Sequence, residues 1–351
     1  MARRLYWASI FRIRDAVRTS LKRAFTLVLL LATPLAATAQ TDPGSDLVES
    51  PIRKSLGEAA LESAPARIGW LHDTRNSLRD FFEAVGRNVD GWFGDVPPEP
   101  TRRLVNGRLS LNTLWRQDDG MRVGLDFRGK FDLPNLKNKA YLYFGQDNER
   151  EVVTDQPDEF SRRQRLLAEE ESEDHTFFAG LGYALRENID LRGGIRGPLR
   201  PFVQARFVKK WYPAQDDEIA FRETLFWEVK EGFGLTTSVN YHHDFTRRLE
   251  FRWRNSATLS QSTDALAWQS SVGLYLRLGG PRQLSLEALI NGETGSTLPV
   301  SEYGVRGIYR RAIYEDWLLG DFIVGHFWPR DEDDAERDKS WAAGIGVEML
   351  F

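Results

Sequence analysis

The last stretch of the chain, Trp341-Ala-Ala-Gly-Ile-Gly-Val-Glu-Met-Leu-Phe351, places an apolar residue at almost every second position and ends on phenylalanine. Successive side chains of a β-strand point to opposite faces, so this period of two predicts a strand with one apolar face. The same alternation runs through residues 235–245 and 249–259, where polar and often charged residues occupy the opposite face. It recurs from residue 102 to the C-terminus.

The length of these segments distinguishes a membrane sheet from a soluble one. Between residue 102 and the C-terminus we mark up to 14 segments of roughly 9–14 residues, which predicts 12 to 14 strands. Strands of soluble sheets usually have about 5–6 residues, whereas a tilted strand that crosses a membrane needs about 9–11. Lipid also requires every backbone polar group to be paired, which a closed barrel achieves. The sequence therefore predicts an all-β fold, a transmembrane antiparallel up-and-down β-barrel over 102–351.

The aromatic content agrees with this prediction. Aromatic residues make up 12% of the 351 residues, with 21 Phe, 11 Trp and 10 Tyr, although the mean hydropathy is only −0.45. Membrane barrels carry aromatic girdles at both water–lipid boundaries. Rings near predicted strand ends suit such girdles: Trp115, Trp211, Trp227, Tyr241, Trp268, Trp317, Trp328 and Trp341.

The first 39 residues have the pattern of a signal peptide. Seven basic residues precede an apolar run that ends in Ala37-Thr38-Ala39, a pattern that signal peptidase cleaves. An uncleaved anchor is the alternative. This segment holds seven basic residues and one acidic residue, so the exported chain has 47 − 7 = 40 basic and 51 − 1 = 50 acidic residues, a net charge of −10. That charge disfavours nucleic acid as a partner.

Residues 40–101 form a separate, periplasmic N-terminal segment in this prediction. Leu71, Leu78, Val85 and Trp92 recur every seven residues and predict an amphipathic helix over 67–92. The helix could pack against the barrel, bind a periplasmic partner or plug the lumen, and the sequence leaves these alternatives open.

The terminal strand resembles the last strand of Gram-negative outer-membrane β-barrels, although no subfamily is recognised. The resemblance implies that Phe351 is the assembly signal read by the barrel-assembly machinery, and that lipids and lipopolysaccharide are further partners. It also implies that both termini are periplasmic. The longest connections, 147–173, 293–300 and 329–338, then fall together on the outer side. The oligomeric state stays open.

The polar faces of the strands supply the candidate functional residues. Basic side chains outnumber acidic ones on the faces assigned to the lumen, so we predict porin-like passage of small polar or anionic solutes. The alternative is a structural or envelope-assembly barrel whose lumen is closed by ion pairs between its side chains. The lumen-lining candidates are Arg128, Arg206, Arg222, Arg252, Arg254, Arg277, Arg306, Arg310, Asp126, Glu228, His242 and Asp244.

A third hypothesis is an outer-membrane hydrolase, like the barrel phospholipase or the omptin proteases. His242 and Asp244 share an inward face, and His326 is also expected to point inward. The chain lacks a His-x-Ser-Asn-Gly element, so catalysis is the weakest hypothesis. The chain has no cysteine, and the acidic run 169–174 lacks calcium-loop spacing. We therefore expect neither a metal nor a cofactor.

Overall fold

The computed structural model describes residues 69–91, 93–94, 104–136, 139–148, 175–197, 199–263, 265–330 and 336–351. The predicted signal peptide and the acidic run 169–174 lie outside these ranges. Within them, no helix combines the length and the apolar character that a membrane crossing requires.

Fourteen antiparallel strands close into a single barrel in which each strand pairs with its chain neighbours and the last pairs with the first. This confirms the upper end of the predicted range. The strands are β1 (Val105–Arg116), β2 (Gly120–Leu133), β3 (Ala140–Asn148), β4 (His175–Arg186), β5 (Ile189–Arg196), β6 (Arg200–Trp211), β7 (Asp217–Glu228), β8 (Gly232–Asp244), β9 (Leu249–Ser260), β10 (Leu266–Arg277), β11 (Arg282–Thr294), β12 (Glu302–Tyr314), β13 (Leu318–Pro329) and β14 (Ser340–Leu350).

The alternation in sequence becomes an alternation between the two faces of the wall. Along β9, Glu250, Arg252 and Arg254 are buried while Trp253, between two of them, is 47% exposed. A slip of one residue would turn each of these charges outward, so the hydrophobic pattern fixes the register. The inward faces are mostly polar and the outward faces are mostly apolar.

In the described residues, one helix, α1 (Gly69–Asp90), precedes the barrel and agrees with the helix predicted over 67–92. It packs on the outer wall, where it covers Phe131 and Leu133, two β2 residues on the outward face that are fully buried. The ring of Phe82 on α1 stacks on the ring of Phe351, with centroids 5.1 Å apart and planes at 8°. The predicted packing of this helix against the barrel is therefore correct, and the helix does not plug the lumen.

Contacts at both ends hold α1 across the seam between β1 and β14. His72 Nε2 lies 3.3 Å from Glu315 Oε1 at one end, and Asn135 Nδ2 donates to Asp90 Oδ2 at 3.0 Å at the other. Gly86 faces the wall, where any larger residue would overlap the ring of Phe131. Glycine therefore permits the close approach of helix and sheet.

The burial of Trp317 corrects one girdle assignment. Trp317 lies in the turn between β12 and β13 and is only 2% exposed, because His72 of α1 packs against it at 5.5 Å between ring centroids. In contrast, Trp115, Trp211 and Trp341 are 46%, 38% and 56% exposed on the outward face, as girdle residues should be.

Candidate functional site

The outward and inward faces of the wall have opposite chemistry. Leu225, Leu286 and Val324 are 58%, 62% and 57% exposed on the outward face. On the inward face, Arg306 and Glu287 are 1% and 3% exposed. A soluble barrel would show the reverse arrangement, so the outer wall requires an apolar surrounding and the barrel is of the transmembrane type.

The structure places the predicted lumen residues on the inward face of the strands. On each strand they occupy the same alternate positions as the buried residues, and the exposed apolar residues occupy the positions between them. The residues so placed are Arg128, Arg206, Arg222, Arg252, Arg254, Arg277, Arg306, Arg310, Asp126, Glu228, His242 and Asp244. Phe351, predicted as the assembly signal, lies on the outer wall beneath α1.

Glu287 is the centre of a buried charge cluster. Its Oε2 accepts a hydrogen bond from Arg306 Nε at 2.7 Å, and Arg254 Nη1 lies 3.8 Å from its Oε1. Tyr275 donates its hydroxyl hydrogen to Glu287 and accepts a hydrogen bond from Arg254. One carboxylate therefore serves two guanidinium groups from β9 and β12.

Glu250 repeats this ratio of two arginines to one carboxylate. Arg252 donates to its Oε1, and Arg277 Nη2 lies 3.0 Å from its Oε2. Glu250 is 1% exposed. The shared carboxylate ties β9 to β10.

Asp190 on β5 is shared in the same way. Arg192 Nε and Arg206 Nη2 lie 2.9 Å and 3.0 Å from its Oδ2, and Tyr141 donates its hydroxyl hydrogen to the same oxygen. We call the groups around Asp190, Glu250 and Glu287 the cation-rich clusters, because each pairs two arginines with one buried carboxylate in the described contacts.

In the described contacts, two other clusters have the opposite ratio, and we call them the acid-rich clusters. Arg116 Nη2 contacts both Asp118 Oδ2 and Glu302 Oε1 at 2.7 Å. Arg310 donates to Asp321 through two hydrogen bonds of 2.6 Å, and its Nη2 lies 3.8 Å from Glu348 Oε2. These clusters lie on β1 and β12–β14.

Asp118 is the acid-rich residue that lies in a turn, outside the strands. Burial acts to raise its pKa, but hydrogen bonds from Arg116 and Ser340, together with the charge of Arg116, outweigh burial and lower it. The Ser340 hydroxyl donates to Asp118 Oδ1 at 2.6 Å. The turn carboxyl is thus held in its charged form.

Several charged partners were not among the predicted site residues. Arg196 and Glu228 form an almost fully buried pair at 2.9 Å, yet only Glu228 was predicted. Arg116, Glu250 and Glu302 were also missed. Each has the parity of the inward residues on its own strand, so the same alternation rule could have identified them.

The two histidines considered for a hydrolase site point to opposite faces of the wall. His326 is on the outward face, between Trp328 and Trp341 at 4.5 Å from each ring, so the inward prediction is wrong. Its parity on β13 matches that of exposed Phe322 and Val324. The sequence therefore held the signal for its true direction.

In the described residues, the polar partners of His242 are carboxylates. Its Nε2 lies 3.1 Å from Asp244 Oδ1 and 3.8 Å from Glu250 Oε2. Ligand atoms of these three residues lie within 4.8 Å of one another, close enough to hold a metal ion. The two arginines already bound to Glu250 would repel a cation, so the donor set does not fit a metal well.

The strand number sets the width of the bore. Fourteen strands, spaced about 4.8 Å apart and tilted by about 40°, close at a backbone radius of about 14 Å. Packed sheets lie about 10 Å apart, so one layer of side chains is about 5 Å deep. A radius of about 9 Å remains for a wall lined with short side chains. The burial of inward residues such as Arg306 and Glu250 shows that side chains narrow the bore below this value, and α1 lies outside it.

No protein-family model matches the sequence, and no curated protein matches it. Among solved structures, the chain is similar to the KdgM porin in complex with disordered oligogalacturonate, at 6% identity and a TM-score of 0.36, covering 70% of this chain and 99% of that one. It is similar to the outer membrane channel DcaP of Acinetobacter baumannii, at 9% identity and a TM-score of 0.42, covering 70% and 96%. The chain is also similar to OccK11 of Pseudomonas aeruginosa, at 10% identity and a TM-score of 0.38, covering 70% of this chain and 96% of that one.

Proposed function

We propose that this chain is a porin-like channel that passes small polar solutes and favours anions. The sharing of Asp190, Glu250 and Glu287 between two arginines each supports this proposal. In the described contacts, each such cluster has one more positive than negative charge, on a wall that surrounds the bore. A charged wall of low dielectric constant concentrates the ions of opposite sign.

Planar-bilayer recording tests this proposal. Purified protein in a gradient of potassium chloride should give stepwise conductance, with a reversal potential that shows chloride to be more permeant than potassium. The absence of current at every salt concentration would instead support the closed structural barrel. Cation preference would refute the role given to the cation-rich clusters.

A hydrolase is the less favoured alternative, because the recorded partners of His242 are carboxylates and not a hydroxyl nucleophile. Assay of His242→Ala against fluorogenic lipid and peptide substrates separates the two functions. Turnover that this variant abolishes would establish the hydrolase.

The location in the cell is part of the same proposal. Residues 1–39 would direct export, residues 40–101 would stay in the periplasm, and the barrel would insert into the outer membrane of a Gram-negative bacterium. Both chain ends would face the periplasm, and the barrel-assembly machinery would bind the C-terminal strand. Lipids would surround the wall, and lipopolysaccharide would meet the longest connections. A protease added to intact cells should then spare an epitope placed before residue 69.

A further inference from the structure

A group of polar side chains lies on the outward face near the middle of the barrel. Glu223 is on β7, where Ile219, Phe221, Leu225 and Trp227 share its face. Thr237 on β8 donates a hydrogen bond of 2.8 Å to Glu223 Oε2, the only recorded hydrogen bond of this carboxyl in the described residues. A carboxylate can accept about four hydrogen bonds, so most of its capacity is unused.

Two more polar residues extend this group over the next strands. Ser270 donates to Asn255 Oδ1 at 2.8 Å, and Asn255 Nδ2 donates to the backbone oxygen of Val239 at 3.3 Å. An amide nitrogen carries two hydrogens, so Asn255 keeps one donor that can point away from the wall. We call Glu223, Thr237, Asn255 and Ser270 the outer polar patch.

The position of Glu223 between the girdles makes the patch unusual. Trp211, paired with Ile219, marks one girdle, and Trp227 marks the other. Glu223 is four positions from Ile219 and from Trp227. At about 3.4 Å per residue and a tilt of about 40°, it lies about 10 Å from each girdle, near the centre of the hydrocarbon layer.

Lipid cannot meet the hydrogen-bonding needs of groups at that depth. Acyl chains have no donors or acceptors, and the girdles that mark the headgroup level lie about 10 Å away on either side. Ionisable residues within a membrane usually face protein or water, because their exposure to lipid is costly. Another protein at the same depth would supply the missing hydrogen-bonding groups.

We propose that the outer polar patch is an interface through which two copies of this chain associate within the membrane. A second copy matches the patch because it has the same hydrophobic thickness and carries both required groups. Glu223 of one copy can accept the free amide hydrogen of Asn255 in the other, and a twofold arrangement makes this contact twice. The proposal rests on membrane insertion and not on conduction.

Single cysteines test this interface, because the chain has none of its own. Val239→Cys places a thiol within the patch, at a residue that is 37% exposed, and Ile345→Cys places one on β14, at a residue that is 55% exposed. A membrane-permeant bis-maleimide added to native membranes should link Val239→Cys into a species of twice the protomer mass. Ile345→Cys should remain a single chain.

Removal of the polar groups supplies the second arm. Glu223→Leu with Asn255→Leu in the Val239→Cys chain should abolish the linked dimer, while heat-modifiable migration shows that the barrel is still folded. The proposal is overturned if both cysteines crosslink equally, if neither does, or if the adduct has the mass of a different partner. Persistence of the dimer in the leucine variant overturns it as well.

Discussion

The cation-rich and acid-rich clusters use the same side chains in opposite proportions. Around Glu287, two arginines depend on one carboxylate, whereas around Arg116 one arginine holds two carboxylates. In the described contacts, arginines outnumber carboxylates in the clusters along β5–β12, and carboxylates outnumber arginines in those along β12–β1. From this difference in proportion between the two sides of the barrel, we expect an electric field across the bore.

Removal of the shared carboxylate at the cation-rich centre should have the largest effect. Glu287→Gln would leave Arg254 and Arg306 buried beside a neutral amide, and loss of one partner from a buried ion pair costs about 3–5 kcal/mol. We expect the free energy of unfolding to fall by about that amount, as measured by urea unfolding in lipid vesicles.

Glu302→Gln is the matched variant in the acid-rich cluster. Arg116 would keep Asp118 as a partner at 2.7 Å, so the loss of stability should be clearly smaller. Equal losses in the two variants would show that the proportion of charges in a cluster does not determine its stability.

Ion selectivity should respond in opposite directions to changes in the two kinds of cluster. Arg277→Gln removes a partly exposed positive charge and should lower the preference for chloride, while Asp321→Asn should raise it. One unit charge about 7 Å from a permeating ion contributes about 0.6 kcal/mol in water, about threefold in local anion concentration. Reversal potentials in a salt gradient measure both changes, and shifts of the same sign would contradict the field described above.

Acid should weaken the acid-rich cluster through Asp118, with the smallest of these effects. Its pKa in the folded chain is below its usual value, so its contribution is present above about pH 4, the unfolded pKa of an aspartate. That contribution is lost as the pH falls through the lower, folded pKa. The difference in unfolding free energy between the native chain and Asp118→Asn should therefore be constant near neutral pH and shrink in acid.

Asp119→Asn is the control in the same turn. Asp119 pairs with Arg122, and both side chains are well exposed, so the substitution should change stability little at any pH. A pH dependence equal to that of Asp118→Asn would mean that the turn as a whole, and not Asp118, responds to acid.

The sequence predicted the barrel and the directions of most side chains because both follow from the period of two. It could not predict which charges share a partner. Arg254 reaches Glu287 beside Tyr275 of the intervening strand, and such a contact depends on the register of three strands. The sequence also could not predict the placement of α1. Phe131 lies beneath the helix, but its position in the alternating pattern is the same as that of residues that face lipid.

The position of α1 changes how the barrel fits a bilayer. The helix side that faces away from the wall carries Asp73, Asn76, Asp80 and Arg87, all exposed, so acyl chains cannot extend beside it. The hydrophobic height is therefore shorter along the seam of β1 and β14 than around the rest of the circumference. A bilayer adapts to such a mismatch by local thinning or by tilt of the embedded body. We expect the barrel axis to lean from the membrane normal, in a direction that α1 sets.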